Sequence, residues 1–309
     1  MKVLATMIPV FFMICLGFIS NRKQLILKEQ ANGMYEVISK VFVPIMVFNA
    51  IFTSNIDGSV LYIIVVVFLI HIFGIVIGKL TSNYINKQYA HVIPYLMCTV
   101  DGGNVCFPLY ATIVGTSYIG NIVLLDIANM IIVFLVIPLM VTTTSKQKNI
   151  KELLKMLFHN TIVVTLMLAF ILKFVGLYKI LSISPFLEVY ESVVSMAIGP
   201  VIGVILFMIG YQFRIEKSSF HSLIKSITLR CSIMGVGILA LLFIFPNMMH
   251  QKVMLIAILL YFMCPPALIL QIQIKEICKS ENDVSFISAF TSLYMLITLV
   301  TYSLIAIFI

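Results

Sequence analysis

The stretch Thr99–Pro108, with the sequence TVDGGNVCFP, interrupts the fourth long apolar segment of the chain. An acidic residue, two glycines, an amide and a proline stand here inside an apolar run from about Val92 to Ile113. Hydrocarbon does not tolerate a lipid-exposed break in the backbone, because each unpaired N–H or C=O group costs several kcal/mol. Such a break persists only where it is buried in protein or lines a wet cavity. The stretch therefore predicts a binding site around which the other segments are arranged.

The composition of the chain is that of a membrane protein. Of its 309 residues, 61% are hydrophobic and 10% are charged, whereas a soluble domain carries about 25% charged residues. The mean hydropathy is +1.14. A formal charge of +8 would suggest nucleic acid as the partner of a soluble protein, but here it indicates cytoplasmic loops that face anionic lipid. The lipid bilayer, and not nucleic acid, is the expected partner.

Ten apolar segments are long enough to cross a bilayer, for which a helix needs about 20 predominantly apolar residues, or 17–25 with tilt. The second and seventh segments contain Pro44 and Gly199-Pro200. The predicted spans are 3–20, 34–53, 60–80, 92–114, 120–142, 156–178, 189–212, 223–246, 252–274 and 285–309.

Lysine and arginine are distributed unevenly between the predicted loops. Of 20 such residues, 14 lie in odd-numbered loops, four lie at the N-terminus or in even-numbered loops, and Lys40 and Arg230 lie inside spans. The positive-inside rule then places the odd loops in the cytoplasm and both termini outside the cell. The absence of tryptophan and the wealth of isoleucine and lysine fit an AT-rich bacterium, so the expected location is the plasma membrane, as a bacterial inner membrane.

The longest basic loop, Ser145–Lys155, divides the chain into halves 1–145 and 146–309, each with five predicted spans. Pro44 and Pro200 are 156 residues apart, and Pro108 and Pro265 are 157 apart. An odd number of spans per half inverts one half relative to the other. Inverted repeats with interrupted helices in matching positions are typical of secondary transporters with a site near the midplane. The sequence thus predicts an all-α integral membrane protein built from two inverted five-helix repeats.

Spans four and nine carry the predicted interruptions. The expected half-helices are 91–100 and 109–115 around a break at 101–108, and 253–263 and 267–277 around a break at Cys264-Pro265-Pro266. Glycine frees the backbone and proline cannot donate a hydrogen bond, so both end a helix. Where two such breaks cross, helix N-termini suit a carboxylate and free carbonyls suit a cation. The alternative is a pair of proline kinks that only bend their helices.

These residues resemble the auxin efflux carrier family. Asp101–Leu109 followed by Gly115 is similar to its fourth-span motif, roughly Asn-Thr-Gly-Phe-x-Gly-x-Pro-Leu with a glycine six residues later. Phe42–Phe48 resembles its second span, Gly199–Gly210 its seventh, and Cys264–Asp283 its ninth and tenth. The resemblance implies a bile-acid-transporter-like fold in which broken helices four and nine cross at the midplane. It also implies a scaffold of spans 1, 2, 6 and 7 that often forms a homodimer, and a mobile transport domain of spans 3–5 and 8–10.

The candidate site follows from the breaks and the polar residues near them. Bacterial members of the family look like permeases for malate and related carboxylates, so a small organic anion is the expected substrate. Asp101 and Asp126 are the expected sites of ion or proton coupling. The expected substrate-binding residues are Gly103, Asn104, Val105, Pro108, Asn129, Pro265, Pro266 and Gln271.

Asp101 is the main departure from the family pattern, which has Asn there; Cys106 also replaces a Gly, and Asn104 stands where an aromatic is usual. A carboxylate beside an anion site repels the anion unless it is protonated or paired with a cation. Buried carboxyl groups favour the protonated form, and intramembrane acids often relay protons. Asp101 is therefore expected to carry a coupling proton or to bind Na⁺. The alternative is a protonated Asp101 that caps a half-helix.

Other polar residues inside the spans have alternative interpretations. Asp126 and Asn129 are one turn apart on one helix face, so they line the cavity or form a hydrogen-bonded pair between helices. His71 carries protons or is a satisfied interior histidine. Gln271 is closer to the break of span nine than Gln273 and is therefore the expected site residue of the two. Arg230 either snorkels to the cytoplasmic interface or attracts an anion.

The function favoured by the sequence is a secondary active transporter of a small organic anion, such as malate, coupled to H⁺ or Na⁺. No nucleophile elbow, metal spacing or phosphate loop is present, so neither an enzyme nor a bound cofactor is expected, and the loops are too short for an ATPase domain. The alternatives are a Na⁺-coupled carrier of the bile-acid-transporter fold, a channel, and a membrane receptor or regulatory protein that does not transport.

Overall fold

The computed structural model describes residues 2–54, 59–144, 161–213 and 220–308, and these residues form helices and no strands. Long apolar runs become helices because a helix satisfies all its backbone hydrogen bonds internally, as hydrocarbon requires. The α-helices are α1 Lys2–Arg22, α2 Lys28–Val37, α3 Val43–Phe52, α4 Ser59–Ile85, α5 Ile93–Leu96, α6 Phe107–Val114, α7 Ile119–Ile131, α8 Ile137–Thr144, α9 Thr161–Phe174, α10 Leu177–Ser182, α11 Phe186–Gln212, α12 Phe220–Ile244, α13 Asn247–His250, α14 Lys252–Phe262, α15 Leu270–Gln273 and α16 Glu281–Phe308.

Six helices in the described part of the chain are long and apolar enough to cross a membrane: Lys28–Phe52, Leu61–Ile85, Thr116–Val141, Phe186–Gln212, Phe220–Ile244 and Glu281–Phe308. Shorter apolar helices cover Met7–Arg22, Gly102–Val114, Thr161–Phe174 and Lys252–Phe262, at the four other predicted positions. The chain is therefore an all-α, multi-pass membrane protein, as predicted. The count of ten spans, the inverted repeat and the orientation stay predictions, and the basic loop Ser145–Lys155 lies outside the described residues.

Three helices widen into a π turn just before a proline. The π turns are Ile38–Phe42, Gly102–Cys106 and Ile132–Val136, and Pro44, Pro108 and Pro138 each follow two residues later. A proline has no N–H to donate, and its ring clashes with the carbonyl four residues earlier. In a π turn the hydrogen bonds reach five residues back, which displaces that carbonyl. The helix therefore continues through Pro108, and the part of the predicted break from Gly102 to Pro108 is wrong.

The chain divides into two compact units that each take segments from both halves of the sequence. The first unit contains the described residues of Met1–Asp57, Gly103–Val123 and Phe158–Phe213, and the second those of Gly58–Gly102, Leu124–Leu157 and Arg214–Ile309. The scaffold and the transport domain expected from the resemblance stay predictions.

The first unit is built on a close approach of α1 and α11. A β-carbon on Gly17 would lie 1.9 Å from the carbonyl oxygen of Phe207, and one on Gly210 would lie 1.8 Å from that of Ile14. Such contact between backbones is how small residues pack helices in a membrane. At the end of α3, the Lys173 ammonium donates to the Ile51 carbonyl over 3.0 Å and to the carbonyl of Ser54.

The second unit packs α4 against the short helix α5 and against α12. Glycines again permit the approach, since a β-carbon on Gly74 would lie 2.5 Å from the Met97 carbonyl oxygen. At its edge, Asp283 accepts the N–H groups of Lys279 at 2.7 Å and Ser280 at 3.2 Å, and His91 Nε2 lies 3.1 Å from the same carboxylate. These contacts fix the start of α16.

Candidate functional site at two helix breaks

The first break covers Met97–Asp101, between α5 and the helix that starts at Gly102. The half-helix predicted at 91–100 is wrong, because only Ile93–Leu96 is helical there. The break thus lies earlier than the predicted 101–108, since the π turn absorbs Pro108. Of the residues predicted to form it, Asp101 lies in the break, while Gly103, Asn104, Val105 and Pro108 lie on the helix that follows it.

The second break covers Met263–Ile269, between α14 and α15. Its prediction at Cys264-Pro265-Pro266 is confirmed, because consecutive prolines cannot continue a helix. The second half-helix, predicted at 267–277, is much shorter: only Leu270–Gln273 is α-helical, followed by a 3₁₀ turn at Lys275–Ile277.

The two breaks lie against each other and share backbone hydrogen bonds. The Asp101 N–H donates to the Pro265 carbonyl over 2.8 Å. The Ala267 N–H donates to Thr99 Oγ1 over 3.3 Å, and the Leu268 N–H donates to Asp101 Oδ2 over 3.1 Å. The Asp101 carboxyl therefore caps the chain that leads into α15, which is the geometry of the capping alternative.

Asn129 on α7 binds both backbone groups of Val100 in the first break. Its Oδ1 accepts the Val100 N–H over 3.0 Å, while its Nδ2 donates to the Val100 carbonyl over 2.8 Å. The side-chain amide thereby replaces the helical partners that Val100 lacks, as burial of a polar backbone requires. Asn129 Nδ2 also donates to Asp126 Oδ1 over 2.9 Å, so the hydrogen bond predicted for this pair forms within one helix.

Asp126 is the second buried carboxyl at the breaks. The Tyr261 hydroxyl donates to its Oδ1 over 3.4 Å and lies 3.5 Å from Nε2 of His71. A β-carbon on Gly102 would lie 2.3 Å from the Asp126 carboxyl carbon. The Asp126 carboxyl thus packs directly against the first residue of the helix Gly102–Val114, whose N-terminus is the positive end of the helix dipole.

Arg230 is fully buried, and its guanidinium joins the two breaks. Nη1 donates to the Leu96 carbonyl, and Nη2 donates to the carbonyls of Thr99 over 2.6 Å and Cys264 over 3.1 Å. The ring centroid of Tyr294 lies 4.8 Å from the guanidinium carbon. The prediction that Arg230 snorkels to the interface is therefore wrong, because backbone carbonyls hold it inside the protein. Lys40, by contrast, is exposed and paired with Glu36.

The backbone groups freed by the breaks are largely taken up by the protein itself. Side chains supply the donors and acceptors already described, and Thr298 Oγ1 adds a hydrogen bond to the Met263 carbonyl over 2.6 Å. In this conformation the N–H groups of Ala267 and Leu268 bind Thr99 and Asp101. Likewise, the carbonyls of Leu96, Thr99 and Cys264 bind Arg230, where the sequence left them open to a cation.

No protein-family model and no curated protein matches this chain. The auxin efflux carrier family therefore stays a prediction from the resemblance of the motifs.

Several predicted site residues meet in the second unit. Asp101, Asp126, Asn129 and Pro265 are joined there by hydrogen bonds or direct packing, and Pro266 is buried in the second break. Gln271 is half-buried on α15. Gln273 turns to α8 and its neighbouring π turn, where Nε2 donates to the Val133 carbonyl over 2.8 Å.

The sequence did not predict the contacts made by Thr99, Tyr261, Thr298 and Arg230. One sequence signal was available: Tyr95-Leu96-Met97-Cys98 and Tyr261-Phe262-Met263-Cys264 are nearly identical and stand 166 residues apart. Both tetrapeptides lead into a break, with a turn, a bend and three non-helical residues in the same order. In this match Met97 corresponds to Met263, whereas the pairing predicted from the prolines sets Pro108 against Pro265. Asp101 then corresponds to Ala267, so the charge belongs to one break only.

Gly102→Ala tests the contact between the first break and Asp126. The new methyl group has no room beside the carboxyl, so we expect a loss of about 1–3 kcal/mol of stability, the usual cost of overpacking. The measurement is thermal unfolding of the purified protein in detergent. Gly235→Ala in α12, where a β-carbon would meet nothing within 4 Å, should cause no loss.

A double-mutant cycle makes this test specific. In an Asp126→Ala background, Gly102→Ala should cost much less than in the wild type, because the group it displaces is gone. An equal cost in both backgrounds would show that Gly102 acts independently of Asp126.

Proposed function

We propose that this protein is a secondary active transporter that carries a small organic anion, a carboxylate such as malate, across the membrane together with protons. The observation that supports this proposal is the pair of buried carboxyls, Asp101 and Asp126, at the starts of the two chain segments that leave the breaks. Ionisable residues inside membrane spans are costly and mark substrate or proton pathways. Buried breaks with polar linings are also where transporters bind their substrates.

The charges at the breaks favour a proton as the coupling ion. The net charge of the two buried carboxyls and the one buried guanidinium is zero when the carboxyls share one proton. Two neighbouring carboxylates repel each other, which favours holding a proton between them. His71 and Tyr261 extend a row of polar side chains from Asp126, and such rows of titratable groups inside a membrane often relay protons.

The proposed substrate site is the start of the helix Gly102–Val114. A helix N-terminus offers free N–H groups and a positive dipole end to a carboxylate, and Gly102 is the first residue of this helix. The Asp126 carboxyl packs against this same end. Binding of an anion there is therefore favoured when Asp126 or Asp101 is neutral, and this condition couples the anion to the proton.

Uptake into proteoliposomes tests the function. Purified protein is reconstituted and screened with labelled carboxylates of two to six carbons, at two external pH values, with Na⁺ or with choline. We expect saturable uptake of at least one C4 dicarboxylate that rises with an inward proton gradient and does not change with Na⁺.

The alternatives predict different results in the same experiment. Uptake that requires Na⁺ would support the Na⁺-coupled carrier instead. Unitary currents in a planar bilayer would indicate a channel. If no carboxylate is taken up in either ion condition, the proposed transport function is contradicted and a membrane receptor or regulatory protein is favoured.

A further inference from the structure

The surroundings of Arg230 share their chemistry with sites that bind metal cations. Three backbone carbonyl oxygens, from Leu96, Thr99 and Cys264, converge on its guanidinium, and the face of Tyr294 covers it. Carbonyl oxygens replace the hydration shell of monovalent cations in selectivity filters, and aromatic faces attract cations. Both kinds of partner recognise positive charge without a carboxylate.

The three carbonyls are available because the breaks release them from helical hydrogen bonding. Leu96 and Thr99 belong to the first break region and Cys264 to the second, so one positive charge holds both. The guanidinium supplies donors to all three oxygens at once. Without such a group, these buried carbonyls would lose their hydrogen-bond partners, which is costly.

We propose that Arg230 is a built-in cation that fills a latent site for a monovalent metal ion between the two breaks. Removal of its side chain opens this site to Na⁺ or K⁺, with water completing the coordination. For the intact protein, the guanidinium takes the place of a coupling metal ion. Na⁺-independent uptake is a consequence that rests on the proposed function, whereas the cation site itself does not.

Thermal unfolding of purified Arg230→Ala in detergent tests the site without any substrate. The unfolding midpoint is measured in choline chloride, NaCl, KCl and ethylguanidinium chloride at equal ionic strength. We expect wild-type protein to unfold at one temperature in all four salts. Arg230→Ala should unfold at a lower temperature in choline and recover part of the loss, saturably, in ethylguanidinium and in NaCl or KCl.

Two further variants separate charge from folding. Arg230→Lys keeps a positive charge at the carbonyls, so it should be purified readily and show no response to Na⁺ or K⁺. Thr298→Val removes the neutral donor to the Met263 carbonyl in the same break, so it should lower the midpoint equally in every salt.

The proposal is overturned by any of three results. These are a wild-type midpoint that rises with Na⁺ or K⁺, an Arg230→Ala midpoint that is the same in all four salts, or an Arg230→Lys variant that responds to Na⁺. If Arg230→Ala cannot be purified in choline, the yield of folded protein in NaCl and in ethylguanidinium is the readout, and equal failure in all salts also overturns it. Because no transport is measured, these outcomes are independent of the uptake screen.

Discussion

Asp101→Asn is expected to abolish proton-driven uptake and to leave the protein folded. The asparagine retains an oxygen that accepts the Leu268 N–H, which Asp101 Oδ2 accepts over 3.1 Å, so the contact between the breaks persists. What it loses is the group that takes up a proton. One coupled proton at a pH difference of one unit sustains an accumulation of about tenfold, because one unit corresponds to about 1.4 kcal/mol. For the variant, the ratio of internal to external substrate concentration should fall to about one.

The measurement is substrate accumulation in proteoliposomes with and without a pH gradient, with exchange of labelled for unlabelled substrate measured in parallel. Asp126→Asn should lose the same dependence on the gradient if the two carboxyls share the proton. Accumulation by Asp101→Asn that still follows the gradient would show that this carboxyl does not carry the coupling proton.

Asp283→Asn is the matched control for this experiment. Asp283 is also a buried carboxyl of the second unit, and it accepts the N–H groups of Lys279 and Ser280 at the start of α16. It lies outside the two breaks, so its variant should keep gradient-driven accumulation. An equal loss in both variants would point to a general effect on folding.

Gly210→Ala is expected to have the largest effect on folding. Alanine normally stabilises a helix by up to about 1 kcal/mol relative to glycine. At this position, however, its β-carbon would lie 1.8 Å from the Ile14 carbonyl oxygen and 2.7 Å from the carbonyl carbon. Backbone atoms cannot rotate away as a side chain can, so α1 and α11 must separate. We expect a loss of about 3 kcal/mol, at the upper end of the usual cost of overpacking.

Thermal unfolding and size-exclusion chromatography of the purified protein measure this loss. Gly203→Ala, on the same helix, is the control: its β-carbon would be 3.7 Å from Met13 Cε, an ordinary contact. It should be as stable as the wild type or slightly more stable. If Gly210→Ala unfolds at the same temperature as Gly203→Ala, the backbones of α1 and α11 are not in close contact.

Much of the fold follows from the sequence because hydrocarbon allows few structures. Long apolar runs with few charges must be helical in a bilayer, so their positions can be predicted from composition alone. The second break was also predictable, since Pro265-Pro266 cannot be accommodated in a helix interior. A single proline is different. Pro108 follows a π turn that removes the clash between its ring and the carbonyl four residues earlier, and the sequence does not indicate that turn.

The candidate site was predicted only in part, because its contacts join residues that are far apart in the chain. Asp101 and Asp126 were identified, since an acid inside an apolar span is conspicuous by itself. Thr99, Tyr261 and Thr298 look like ordinary members of apolar helices. Arg230 was conspicuous too, but position within a span does not reveal whether a guanidinium reaches water or a set of carbonyls.

The sequence by itself determined that this chain is a multi-pass helical membrane protein, that it is interrupted near Asp101 and at Pro265, and that acids lie inside it. These properties depend on local chemistry, namely apolar length, missing N–H groups and the cost of burying charge. Only the tertiary structure decided which groups satisfy the broken backbone. The backbone of Val100 is hydrogen-bonded by Asn129, the Leu268 N–H by Asp101, and three carbonyls by Arg230. These partners come from distant parts of the chain, because a buried polar group needs a partner and only the fold brings one within reach.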